Sequence, residues 1–135
     1  MVKSLQTLHN KIRKKKRRQQ LSTLDLRDAF KNDDNFIGVF AINRLPQDVK
    51  NLPIIKMIAN LDTHNLPGRH WVAFLVQDGV GFYFDSYGDF PPMEAQHWLA
   101  KNTSKWEYYT QAVQASSDKV SCGYLCINFL KLAAS

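Results

Sequence analysis

Six consecutive apolar residues, Trp71-Val72-Ala73-Phe74-Leu75-Val76, constrain this chain more than any other stretch. A strand with one face in water alternates apolar and polar side chains. A strand that is apolar at every position must be covered on both faces. This one is therefore expected at the centre of a sheet. Asp78-Gly79 follows, a dipeptide that favours a two-residue hairpin turn, and Val80 to Phe84 returns. Pairing about that turn sets Val72 opposite Asp85. His70 and Asp85 then share one end of the hairpin, two residues out of step, a gap that side chains bridge at ~3.4 Å per residue. A turn at Gln77-Asp78 would set them directly opposite, so either alignment brings them together.

The second constraint is Ser121-Cys122-Gly123-Tyr124-Leu125-Cys126 and the tail after it. Leu125, Cys126, Phe129, Leu130 and Leu132 recur at helical spacing and predict a buried helix. Ser121 suits its N-cap, which puts Cys122 in the first turn. Unpaired N–H groups and partial positive charge at a helix start favour a thiolate there.

Elsewhere the elements are short. Ser22 with Asp25 reads as a capping box opening a helix to about Lys31, with Leu24, Leu26 and Phe30 on its buried side. Phe36 to Ile42 is rich in strand formers, and Asn43 to Pro46 turns the chain. Ile54 to Asn60 fits strand or helix by period; its β-branched content and the preceding Pro53 favour a strand. Asp62 to Gly68 is a loop of turn formers. Met93 to Lys101 predicts a helix burying Met93, Trp98 and Leu99. Trp106 to Val113 predicts a strand, and Gln114 to Val120 a polar loop leading to Cys122.

A length of 135 residues bounds the chain to one domain. Two cysteines are too few for a disulfide scaffold and point to a reducing compartment. No apolar run approaches the ~20 residues of a membrane span, and the first residues lack the apolar segment of a signal peptide. The net charge of +6 belongs to one end. Residues 1–20 hold Lys3, Lys11, Arg13, Lys14, Lys15, Lys16, Arg17 and Arg18 with no acid, whereas acids outnumber bases in the remainder. The division is a basic arm over 1–20, with a weak amphipathic pattern at Leu5, Leu8 and Ile12, and a folded domain over 21–135. Lys11, Arg13, Lys14, Lys15, Lys16, Arg17 and Arg18 form a candidate nucleic-acid patch, with salt-sensitive, sequence-independent phosphate contact. A solvated, self-repelling tail is the competing reading.

Thiol hydrolysis of an amide needs a nucleophile, a base, a group to orient that base, and donors for the oxyanion. Cys122, His70 and Asp85 supply the first three. The Cys122 N–H and the side chain of Gln114, or of Gln111, supply donors. Each has a dull alternative: a lone buried Cys is more often core, Asp85 can simply end a strand, and Tyr87, Tyr108 and Tyr109 read as structural. His64 is the rival base and Asp89 the rival acid. Cys126 reads as core. Cys and His never approach metal-ligand spacing.

His70-Trp71, Phe84-Asp85-Ser86-Tyr87-Gly88, Gln114 and Cys122-Gly123-Tyr124, in that order, resemble the adenovirus-type cysteine proteases and, in the same order, the SUMO-deconjugating cysteine proteases. The resemblance covers roughly residues 22–133, and Phe36 to Phe40 with Leu45-Pro46 is similar to the viral and transposon group. It implies an α+β, papain-like fold with a central mixed sheet and the nucleophile at a helix N-terminus. It implies His70 as base, Asp85 as its acid, Gln114 as oxyanion glutamine and Cys122 as nucleophile. Gln114 stands one residue further from the Cys than the family pattern, and the chain is shorter than the family's usual domain. The implied activity is an endopeptidase cleaving after small residues in virion or capsid precursors, in a host nucleus and virion. No cofactor is required by the sequence, though DNA or an activating peptide fits; the chain is taken as a monomer with no membrane partner. A ubiquitin-like-modifier deconjugase and an inactive nucleic-acid-binding module are the alternatives.

Overall fold

The computed structural model describes residues 19–61 and 70–133. Helix α1 (Thr23–Ala29) comes first, opened by the expected capping box: Ser22 Oγ accepts from Asp25 N, and Asp25 Oδ2 accepts from Ser22 N. Five strands follow: β1 (Phe36–Ala41), β2 (Ile54–Asn60), β3 (Trp71–Gln77), β4 (Val80–Phe84) and β5 (Lys105–Tyr108). They lie in chain order across one mixed sheet. The outer pairs β1–β2 and β4–β5 are parallel, and the inner pairs are antiparallel. Parallel neighbours need crossovers. A 3-10 turn (Ile42–Arg44) with a loop supplies one, and helix α2 (Met93–Asn102) the other. Helix α3 (Cys122–Ala133) ends the described chain.

The sheet separates two apolar clusters. Trp71, Ala73, Leu75 and Phe84 meet Leu26 of α1 and Leu125, Cys126, Phe129 and Leu130 of α3. On the other face Val72, Phe74, Val76 and Tyr83 meet Ala95, Trp98 and Leu99 of α2, together with Ile42 and Leu45. Strand β3 is thus buried at every apolar position, as its composition requires. Burying each large side chain of this kind contributes about 1.5–3 kcal/mol. The hairpin has the expected register, Ala73 opposite Phe84 and Gln77 opposite Val80. Asp78 and Gly79 both have positive φ, +51° and +80°, as a turn matched to the strand twist demands.

Three residues expected in the core are exposed. Leu24 is 73% exposed, because it stands two positions, or ~200°, from Leu26 on the helix. Met93 is 61% exposed for the same reason: α2 buries Ala95, Trp98, Leu99 and Asn102, a stripe at i, i+3, i+4 and i+7 that excludes it. Leu132 is exposed near the end of α3. The strand expected over Trp106 to Val113 stops at Tyr108. Tyr109 N still donates to Tyr83 O, but Val113 N and Gln114 N turn to Ser86 O, so the chain leaves the sheet edge for the turn after β4. The loop expected over 62–68, His64 within it, and the basic residues Lys11 to Arg18 lie outside the described residues.

Candidate active site

Strand polarity fixes one end of the sheet as the meeting place. β3 starts there and β4 ends there, so His70, just before β3, and Asp85, just after β4, face each other. His70 Nε2 lies 2.9 Å from Asp85 Oδ1. The same carboxylate oxygen accepts from Tyr87 N at 2.8 Å, so Asp85, almost fully buried, is held from two directions. Asp89, the rival acid, is exposed.

Helix α3 brings its first turn to the same end. Cys126 Sγ donates to Trp71 O at 3.3 Å. A Cβ on Gly123 would stand 3.2 Å from both Trp71 Cδ1 and Leu21 Cβ. Glycine after Cys122 therefore lets the helix start close down on the Trp71 indole. Trp71 Nε1 donates to Leu21 O and Tyr124 Oη to Gln19 O, which ties the stretch before α1 to this helix. The first intrahelical bond runs from Leu125 N to Ser121 O, so Ser121 stands at the N-cap position and Cys122 in the first turn.

The His70 ring hydrogen-bonds both Asp85 and Cys122. Burial opposes its charge, but these two bonds and the charges of both partners outweigh it and raise the pKa to about 10. Cys126, one turn on, differs: burial first, then the charges of Cys122 and Asp85, push its thiol well up.

Gln114 is 3% exposed, whereas Gln111 is exposed and lines a cavity of about 190 Å³ beside β5. The Gln114 Oε1 accepts from Ser86 Oγ. Its Nε2 donates to Asp118 O at 2.6 Å and to the Tyr87 hydroxyl at 3.2 Å. Asp118 Oδ1 in turn accepts from Val120 N and Ser121 N, shaping the loop that delivers Cys122. Tyr87, read from sequence as structural only, stacks on the His70 ring with centroids 4.9 Å apart. Burial, followed by the charges of Cys122, Asp118 and Asp85, raises its pKa and keeps it a donor. Ser86, Tyr87 and Asp118 were not assigned to the site by sequence, because their link is a contact between two loops. The one local signal was Asp85-Ser86-Tyr87-Gly88, where a carboxylate can bond the backbone two residues on.

Gly88 closes this turn. Its N–H donates to Asp85 O, its φ is +77°, and a Cβ would stand 2.8 Å from the Gln111 carbonyl carbon. Only glycine admits the 110–112 backbone so near. No group of three or more His, Cys, Asp or Glu among the described residues is arranged to hold a metal ion. No helix among the described residues is long and apolar enough to cross a membrane.

No protein-family model matches the chain, and no curated protein does. A crystal structure of the ASFV pS273R protease superposes with a TM-score of 0.57 over 87% of this chain and 59% of that one, at 15% identity. A selenomethionine form of the same protease aligns over 58% of this chain and 34% of that one, with a TM-score of 0.47 and 22% identity. The likeness is one of fold. The chain spans less than two thirds of the protease that it matches.

Proposed function

We propose that this chain is a cysteine endopeptidase of adenovirus-protease type. The observation that carries the reading is the imidazole of His70, hydrogen-bonded to the Asp85 carboxylate on one side and to the Cys122 side chain on the other. In the proposed cycle the Cys122 sulfur attacks the scissile carbonyl carbon while His70 holds the thiol proton. Asp85 orients the ring and stabilises its charge. The tetrahedral oxyanion takes hydrogen bonds from the Cys122 N–H and from Gln114 Nε2. Collapse breaks the C–N bond, and His70 gives its proton to the leaving amine. Water, deprotonated by His70, then cleaves the thioester and frees the acid and the thiol.

The substrates proposed are virion or capsid-like precursors cut after small residues, in a nucleus and in the particle. DNA bound along Lys11 to Arg18 is the proposed activator. The test is iodoacetamide alkylation across pH, read by mass spectrometry at each cysteine, joined to a cleavage screen of structural precursors with and without DNA. Cys122 should alkylate at neutral pH at least ~10-fold faster than Cys126, whose thiol burial pushes well up. Equal rates at the two cysteines, with no precursor cut, would leave a nucleic-acid-binding module as the better reading. Cleavage confined to isopeptide-linked modifiers would make it a deconjugase.

A further inference from the structure

We propose that Tyr87 is a positioning residue for Gln114: its hydroxyl and the Asp118 carbonyl share one amide hydrogen and leave the other for the oxyanion. This rests on the thiol-protease reading and goes beyond it to a residue outside the reacting set.

The argument is geometric. A carbonyl only accepts, so Gln114 must turn Nε2 toward Asp118 O, and its Oε1 takes the Ser86 hydroxyl on the other side. Nε2 lies 2.6 Å from Asp118 O and 3.2 Å from the Tyr87 oxygen, and those two oxygens are 2.6 Å apart. A triangle with these sides encloses about 52° at the nitrogen. The two amide hydrogens diverge by on the order of 120°, as planar nitrogen requires. An angle this narrow fits one hydrogen shared between both acceptors, a three-centre bond. In that arrangement the second hydrogen has no acceptor among the described residues, although the side chain is buried. A buried donor left unmatched is costly, and an incoming oxyanion removes that cost.

Tyr87 also touches the rest of the site. Its ring lies on His70 and its N–H bonds Asp85. Tyr87→Phe keeps both contacts and deletes only the hydroxyl, which grips Gln114 directly and also donates to the Asp118 carbonyl that Gln114 shares; the Gln114→Ala background separates the two.

The probe is a peptide aldehyde ending in Gly-Gly, which forms a hemithioacetal with Cys122; the matching peptide alcohol, which has no carbonyl for the thiol to add to, is the control. Tyr87→Phe should weaken the aldehyde about tenfold, less than the ~10²–10³ of losing an oxyanion donor outright. It should leave the alcohol unchanged. Placed in a Gln114→Ala background it should have no further effect, because the amide it holds is gone. Ser86→Ala, which releases the opposite end of the amide, should show the same selectivity. Equal losses for aldehyde and alcohol, additivity with Gln114→Ala, or no effect overturns the proposal. An adduct on the wild type with any of these outcomes sinks the Tyr87 role alone. Absence of any Cys122 adduct sinks the protease reading, and the Tyr87 role with it.

Discussion

Two turns of one helix carry the same residue in different surroundings. Cys122 opens α3 and Cys126 follows one turn later; they are 1% and 0% exposed, so burial does not tell them apart. Their partners do. Cys122 meets an imidazole that is raised to about 10 and backed by a carboxylate. Cys126 donates to the Trp71 carbonyl, and its thiol is pushed well up by burial. The proposed difference in their chemistry therefore rests on what each sulfur faces.

The largest test of this contrast is deletion. Cys122→Ala should lower peptide hydrolysis by ~10⁴-fold or more, whereas Cys126→Ala should leave hydrolysis unchanged. Similar losses for both would erase the distinction. Next, Asp85→Asn should cost ~10²–10⁴ in kcat, because the ring loses its orienting charge; a loss below about twofold would mean that the carboxylate only ends a strand.

His70 also makes stability depend on pH. Its pKa is raised on folding, so the contribution is complete below the ordinary value of 6.5 and disappears as pH climbs through about 10. Between neutral and alkaline pH, urea unfolding should show the wild type losing stability that His70→Ala does not lose. Gly88→Ala should cost about 2 kcal/mol in the same assay, from its left-handed backbone and the blocked approach of Gln111. The smallest effect expected is the ~1 kcal/mol of Cys126→Ala, a small core truncation.

The parts of this molecule legible from sequence are those set by neighbours along the chain. Trp71 to Val76 announced a strand covered twice, Asp78-Gly79 a turn, and Ser22 with Asp25 a capped helix; all three stand as expected. His70 and Asp85 met because a hairpin converts sequence symmetry into proximity. Leu24 and Met93 were misplaced where an apolar residue beside a helical stripe was counted into it. Trp106 to Val113 alternates like a strand, yet Ser86 O draws Val113 and Gln114 off the edge, a competition no local pattern records. The same contact hid Tyr87 and Asp118.

The hairpin turn has one more consequence. Asp78-Gly79 sits about 24 Å from the imidazole, the length of β3, yet it decides which residues end up abreast at the far rim. An insertion or deletion of a single residue there would slide β4 along β3 and turn its side chains to the opposite face. The carboxylate would be carried away from its ring by a change that touches neither. A bend with no chemistry of its own thus works as the ruler for the chemistry.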